Sequence, residues 1–188
     1  MNSELRKISD NIVEAAIKAV LPDEAVKRAL NGIEFTGRVF LVAAGKAAWQ
    51  MANSAEKCLG DRIQKGVVIT KYNHVKGPIS DFTLVEAGHP IPDENSFSGT
   101  QAAIDLVSGL NSDDTVLFLL SGGGSALFEK PQISGEELSD ITGQLLACGA
   151  DIVEINTVRK RLSLVKGGKF AKICEPAKVF SIVLSDIL

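Results

Sequence analysis

The sequence predicts an α/β domain: a Rossmann-like three-layer α/β/α arrangement with a mostly parallel sheet, incomplete at its C-terminus. Three observations carry that expectation. Apolar runs of strand length, Val39-Phe40-Leu41-Val42-Ala43-Ala44 first among them, contain no polar residue, as strands buried on both faces require. Between them lie longer segments whose apolar residues recur at helical spacing. The alternation of the two persists along the whole chain, and a strand–helix–strand crossover closes as a parallel pair with its helix on one face of the sheet.

In order, Ile8, Ile12, Ala15, Ala16, Ile17 and Val20 place an amphipathic helix over 3–20, with Ser3 as its cap. Pro22 and Asp23 open a shorter helix to about Leu30. After the strand Val39–Ala44, the Ala-rich stretch from Lys46 to about Leu59 is helical, with Trp49 and Met51 expected in the core. Val67–Thr70 and Phe82–Glu86 are strands, separated by a polar loop at 72–81. The turn-rich Gly88-His89-Pro90-Ile91-Pro92-Asp93 leads into a helix over 94–109, and Thr115–Leu120 is a further buried strand. Ser134 and Glu137 have the spacing of a capping box before a helix at 135–148. A basic stretch covers 156–172, and Val179–Leu184 has the look of a central strand. No internal repeat, low-complexity tract or interdomain linker divides residues 1–188, so one domain is expected.

Composition narrows the function. The 188 residues are 45% apolar and 23% charged, enough to bury a sizeable core. Twenty basic against twenty-three acidic residues give a net charge of −3, and 5% aromatics leave little for base stacking, so no nucleic-acid partner is expected. The N-terminus is polar and no apolar run exceeds strand length, so no membrane partner is expected either. Cys58, Cys148 and Cys174 are scattered without zinc-ligand spacing, which fits a reduced cytoplasm. The chain stops four residues beyond a strand, as a part of a longer protein would, and the open sheet edge makes self-association an expectation.

Ligands of open α/β sheets bind beyond the carboxyl ends of the strands, and four sequence features fall there. At Ala44-Gly45-Lys46-Ala47, Gly45 permits a tight turn and Lys46 sits at a helix start; Phe40 and Ala47 exclude a Walker A loop. Lys46 is an anion-binding cation or a solvated surface charge. In Ser121-Gly122-Gly123-Gly124-Ser125-Ala126-Leu127, three consecutive glycines can turn several amides toward one point, and Ser121 and Ser125 add hydroxyls. Leu127 excludes both the dinucleotide fingerprint and a nucleophile elbow. Phosphate or carboxylate binding competes there with a mere tight connection. Asp186, past the last strand, is a Mg²⁺ ligand or a helix cap. In Asn156-Thr157-Val158-Arg159-Lys160-Arg161, with Lys166-Gly167-Gly168-Lys169, directed donors and flexible backbone suit a small polyanion; the same run also fits a solvated face. His89 transfers a proton or fixes its loop, and Asp93 and Glu94 are acid–base groups or helix-start residues.

These motifs in this order, together with Gly88–Asp93, Asn156–Lys160 with Leu162-Ser163, Lys166–Gly168 and Leu184-Ser185-Asp186, resemble the glycerate 2-kinase family, whose C-terminal part is the MOFRL domain. The match covers essentially the whole chain. The resemblance implies ATP- and Mg²⁺-dependent phosphorylation of D-glycerate at its 2-hydroxyl, giving 2-phosphoglycerate, in a cleft between a Rossmann-like N-terminal domain and a second domain. It implies Lys46, Arg159 and Lys160 as catalytic cations. Gly45, His89, Ser121, Gly122, Gly123, Gly124, Ser125, Asn156 and Lys166 would bind phosphate or substrate, and Asp186 the metal. Family members continue past residue 188, so this chain alone is expected to be inactive. The residues without the resemblance support only a phosphate- or phosphosugar-binding α/β domain, isomerase-like or non-catalytic, and that alternative stands beside the kinase.

Overall fold

A computed structural model describes residues 3–185. Its sheet has five strands: β1 (Val39–Ala44), β2 (Ile63–Lys71), β3 (Phe82–Ala87), β4 (Thr115–Ser121) and β5 (Lys178–Leu184). They lie in the order β3-β2-β1-β4-β5, every neighbouring pair parallel, so the sheet is wholly rather than mostly parallel. The order reverses between β1 and β4, and a crevice opens there beyond their carboxyl ends.

Both faces of the middle strands are covered. Val39, Leu41 and Ala43 of β1 join one core with α2 (Pro22–Leu30) and α3 (Ala48–Leu59). Phe40, Val42 and Ala44 point to the other face, against α4 (Glu94–Val107) and α8 (Lys169–Ile173). Residues such as Leu41, Met51 and Leu117 are fully buried, each stabilising the fold by roughly 1.5–3 kcal/mol. On the second face Phe118, Phe128 and Phe170 pack with ring centroids 4.9–5.4 Å apart. That triplet seats α5 (Gly124–Leu127) and α8 against β4.

The structure differs from the sequence expectations in several places. β2 begins at Ile63 rather than Val67: exposed Gln64 and Lys65 interrupt the apolar run, but the strand continues because Ile63 pairs with Val39 across a register shift. The basic stretch runs from within α7 (Ile152–Leu162), which follows α6 (Gly135–Ala147) and is capped at Asp151 by a capping box with Glu154, into α8. β5 is an edge strand among the described residues; its apolar run suggested burial on both faces, yet Val183 is 62% exposed and only Ile182 is buried. The first helix, α1 (Ser3–Ala19), forms as its periodicity predicts and starts with Ser3 already helical, so the expected Ser3 cap is not observed. It buries none of its residues, and Leu5, Ile8, Ile12 and Ile17 stay exposed. Among the described residues no helix is long and apolar enough to cross a membrane.

Candidate active site

The backbone of the turn after β1 is held by hydrogen bonds from several elements. Gly45 donates to the carbonyl of Ile69 (3.1 Å), Lys46 N–H to that of Gly122 (2.8 Å), and Ala47 N–H to Ser121 Oγ (3.0 Å). Thr70 Oγ1 donates to the carbonyl of Gly45 (3.0 Å), and His74 Nδ1 lies 2.9 Å from the carbonyl of Lys46. Gly45 is required on two counts. Its φ is +127°, and a Cβ there would lie 2.2 Å from Ser121 Oγ and 2.6 Å from the Ser121 carbonyl. The two loops at the switch point therefore touch backbone to backbone. Out of this rigid turn the Lys46 side chain projects exposed, with no hydrogen-bond or ion-pair partner among the described residues.

The loop after β4 meets it. Gly123 has a φ of +87° and is the residue before α5, whose first amides have no intrahelical acceptor by position. A Cβ on Gly123 would lie 2.9 Å from His89 Cδ2 and 3.3 Å from Lys46 Cγ, so these three residues, from three different strand ends, are packed together. His89 is half-buried. Burial, then the charges of Lys46 and Lys71, push its pKa below the ordinary histidine value, so the ring is neutral at neutral pH. Four residues on, Asp93 caps α4: its Oδ1 accepts from Ser96 N–H (3.0 Å) and its Oδ2 from Tyr72 Oη (2.7 Å). Burial raises the Asp93 pKa, but hydrogen bonds from Gly88, Tyr72 and Ser96 outweigh it and keep the carboxyl below its usual value. The carboxylate is thus engaged at the helix start.

On the other flank of the glycine loop a groove of about 570 Å³ is lined by Ser121–Ser125 with Asn156, Lys160, Lys166 and Gly167. Lys160 is exposed at the last turn of α7. Lys166 is different. Its Nζ donates to the carbonyls of Ser125 (2.7 Å) and Phe128 (3.0 Å) and lies 3.0 Å from Glu129 Oε2. Arg159 Nη2 reaches the Ser125 carbonyl (3.3 Å) and stands 3.7 Å from the same Glu129 oxygen. Lys169, beyond them, satisfies carbonyls at the end of α7, with 2.6 Å to Ser163 and 3.0 Å to Lys160. Asp186 lies outside the described residues, and among those described no group of three acidic, His or Cys side chains is gathered as a metal site.

The comparisons with known proteins bear on this arrangement. A family model described as Domain of unknown function (DUF4147) matches residues 8–188. The chain belongs to the DUF4147 family. A D-glycerate 2-kinase of Thermotoga maritima is 56% identical over 98% of the chain, and a glycerate 2-kinase of Pyrococcus horikoshii is 42% identical over 98%. The crystal structure of the Thermotoga maritima glycerate kinase superposes on the whole chain with a TM-score of 0.92 at 54% identity, covering 45% of that structure. The chain thus spans about 44% of the length of the relatives it matches. The resemblance drawn from the motifs and the α/β fold are both borne out.

Within this DUF4147 chain, Gly45, Lys46, His89 and Ser121–Ser125 meet at the switch point, while Asn156 and Lys160 face the far side of the glycine loop. Arg159 and Lys166 turn toward Glu129 instead. Glu129 was not singled out from the sequence. The only signal is an acidic residue directly after the apolar Ala126-Leu127-Phe128, a position that reads equally well as a surface charge. Thr70 and His74, which brace the Lys46 turn, carry no motif at all.

Proposed function

We propose that this chain supplies the phosphate- and glycerate-binding part of a glycerate kinase, which transfers the terminal phosphoryl group of ATP to the 2-hydroxyl of D-glycerate and releases ADP and 2-phosphoglycerate. The observation that carries the reading is the meeting of Lys46, His89 and Gly123 at the topological switch point. Phosphoryl transfer is catalysed mainly by positioning and by neutralising oxygen charge, and this site offers both. Lys46 Nζ is a free cation on a hydrogen-bonded turn, and Ser121–Ser125 line the groove on the far side of the glycine loop. Neutral His89 would donate or accept a hydrogen bond at a substrate oxygen without adding a third positive charge. Lys160 would face the same anion from the α7 side.

The resemblance also implies Mg²⁺, which would neutralise phosphate oxygens. The described residues gather no cluster that fits it, and Asp186 falls outside them, so no role here rests on the metal.

The test is phosphorus NMR of the complete gene product that contains this chain, supplied with ATP, Mg²⁺ and D-glycerate. Appearance of 2-phosphoglycerate is the expected result. Absence of any phosphorylated glycerate would sink the kinase reading and leave the phosphosugar-binding alternative.

A further inference from the structure

The kinase reading leaves one ionisable group without a task. Glu129 is 1% exposed, and an acidic side chain is almost never buried so completely unless it is paired. Its Oε2 has two cations beside it, Lys166 at 3.0 Å and Arg159 at 3.7 Å, neither aligned as a hydrogen bond, and its Oε1 has no hydrogen-bond partner among the described residues. Both cations also reach outward to α5. Lys166 holds the carbonyls of Ser125 and Phe128, and Arg159 holds that of Ser125. Two hydrogens of Lys166 are thereby held by carbonyls, and its charge faces the Glu129 carboxyl.

The segment they hold needs holding. α5 has only four residues, too few to be stable by itself, and three consecutive glycines precede or open it. Glycine loses more conformational freedom on ordering than any other residue. A cation at the C-terminal carbonyls of α5 matches the sense of the helix dipole. Burial pushes the Lys166 ammonium pKa down, and the neighbouring Glu129 opposes that.

We propose that Glu129 is a positioning residue for the phosphate-binding loop: it touches no ligand, but draws Lys166 and Arg159 against the carbonyls of Ser125 and Phe128, and so holds Ser121–Ser125 in its binding conformation. This rests on the kinase reading for the ligand, though the clamp itself is independent of it. Loss of the clamp weakens phosphate binding, because the loop must then be ordered at each binding event.

The experiment compares the complete gene product with Glu129→Gln and with the double variant Glu129→Gln/Lys166→Met. Three readouts are taken: hydrogen exchange of the peptide spanning 119–130, steady-state kinetics in ATP, and melting temperature. The single variant strands a buried cation and melts lower. The double variant removes both charges and regains most of that loss. If the clamp positions the loop, both variants exchange the 119–130 peptide at least tenfold faster, while β1 is unchanged, and both raise KM for ATP at least tenfold. A double variant that recovers exchange and KM along with its melting temperature would make Glu129 a fold residue only and overturn the proposal. Faster exchange with unchanged KM would overturn it as well. Should the parent make no phosphoglycerate, protection of the same peptide by inorganic phosphate replaces KM. Protection lost in both variants upholds the clamp without the kinase, and the same result in all three proteins overturns it.

Discussion

Lys46 and Lys166 lie on the two sides of one glycine loop and do opposite things. Lys46 rides on a turn whose backbone is held by the carbonyls of Ile69 and Gly122 and the hydroxyls of Ser121 and Thr70, and its own side chain bonds to nothing described. Lys166 is 14% exposed at its side chain, and its ammonium donates to the carbonyls of Ser125 and Phe128 and is ion-paired with Glu129. The first is presented and the second is consumed. A lysine beside a phosphate loop is therefore no evidence of a phosphate-binding lysine. What decides is whether its acceptors are already supplied by the protein.

Breaking the turn should have the largest effect. Gly45→Ala forces a Cβ into Ser121 at an unfavourable φ, and a loss of about 3–4 kcal/mol of stability is expected in denaturant unfolding. The direct contrast comes next. Lys166→Met leaves buried Glu129 with Arg159 alone at 3.7 Å and should cost about 3 kcal/mol. Lys46→Met should leave stability within about 0.5 kcal/mol yet lower kcat/KM for glycerate phosphorylation by about 10²–10³. Equal melting losses for the two lysine variants would erase the contrast.

The smallest effect is electrostatic. Because the folded-state pKa of His89 lies below its unfolded value, near 6.5, the unfolded chain takes up the proton first. The contribution of His89 to stability is then complete above about pH 6.5 and is lost as the pH falls through the folded pKa. Lys46→Met removes one of the two charges that depress it, so the ring should titrate at higher pH by histidine NMR. Lys166→Met should leave that titration where it is.

Much of this was legible from residue patterns. The unbroken run of β1, the apolar run of β4 and the glycine loop following it mark buried parallel strands and the loops beyond their carboxyl ends. The capping box at Ser134 and Glu137 forms as its spacing predicts. Where patterns misled, a neighbour decided. Ile63 is a strand residue because Val39 lies beside it, and β5 is exposed because no described helix covers its outer face. Arg161 and its basic neighbours look like one charged run, yet the helix turns Arg159 toward Glu129 and leaves Lys160 to the groove.

The sequence alone determined the class of fold, the alternation of its strands and helices and the position of the glycine loop after a buried strand. Those properties depend on local periodicity and on conformational freedom, which each short segment carries within itself. Only the tertiary structure decided which cations are free. Charge pairing depends on distances between residues far apart in the chain, and Glu129 acquires its two partners from a helix and a loop about thirty to forty positions away.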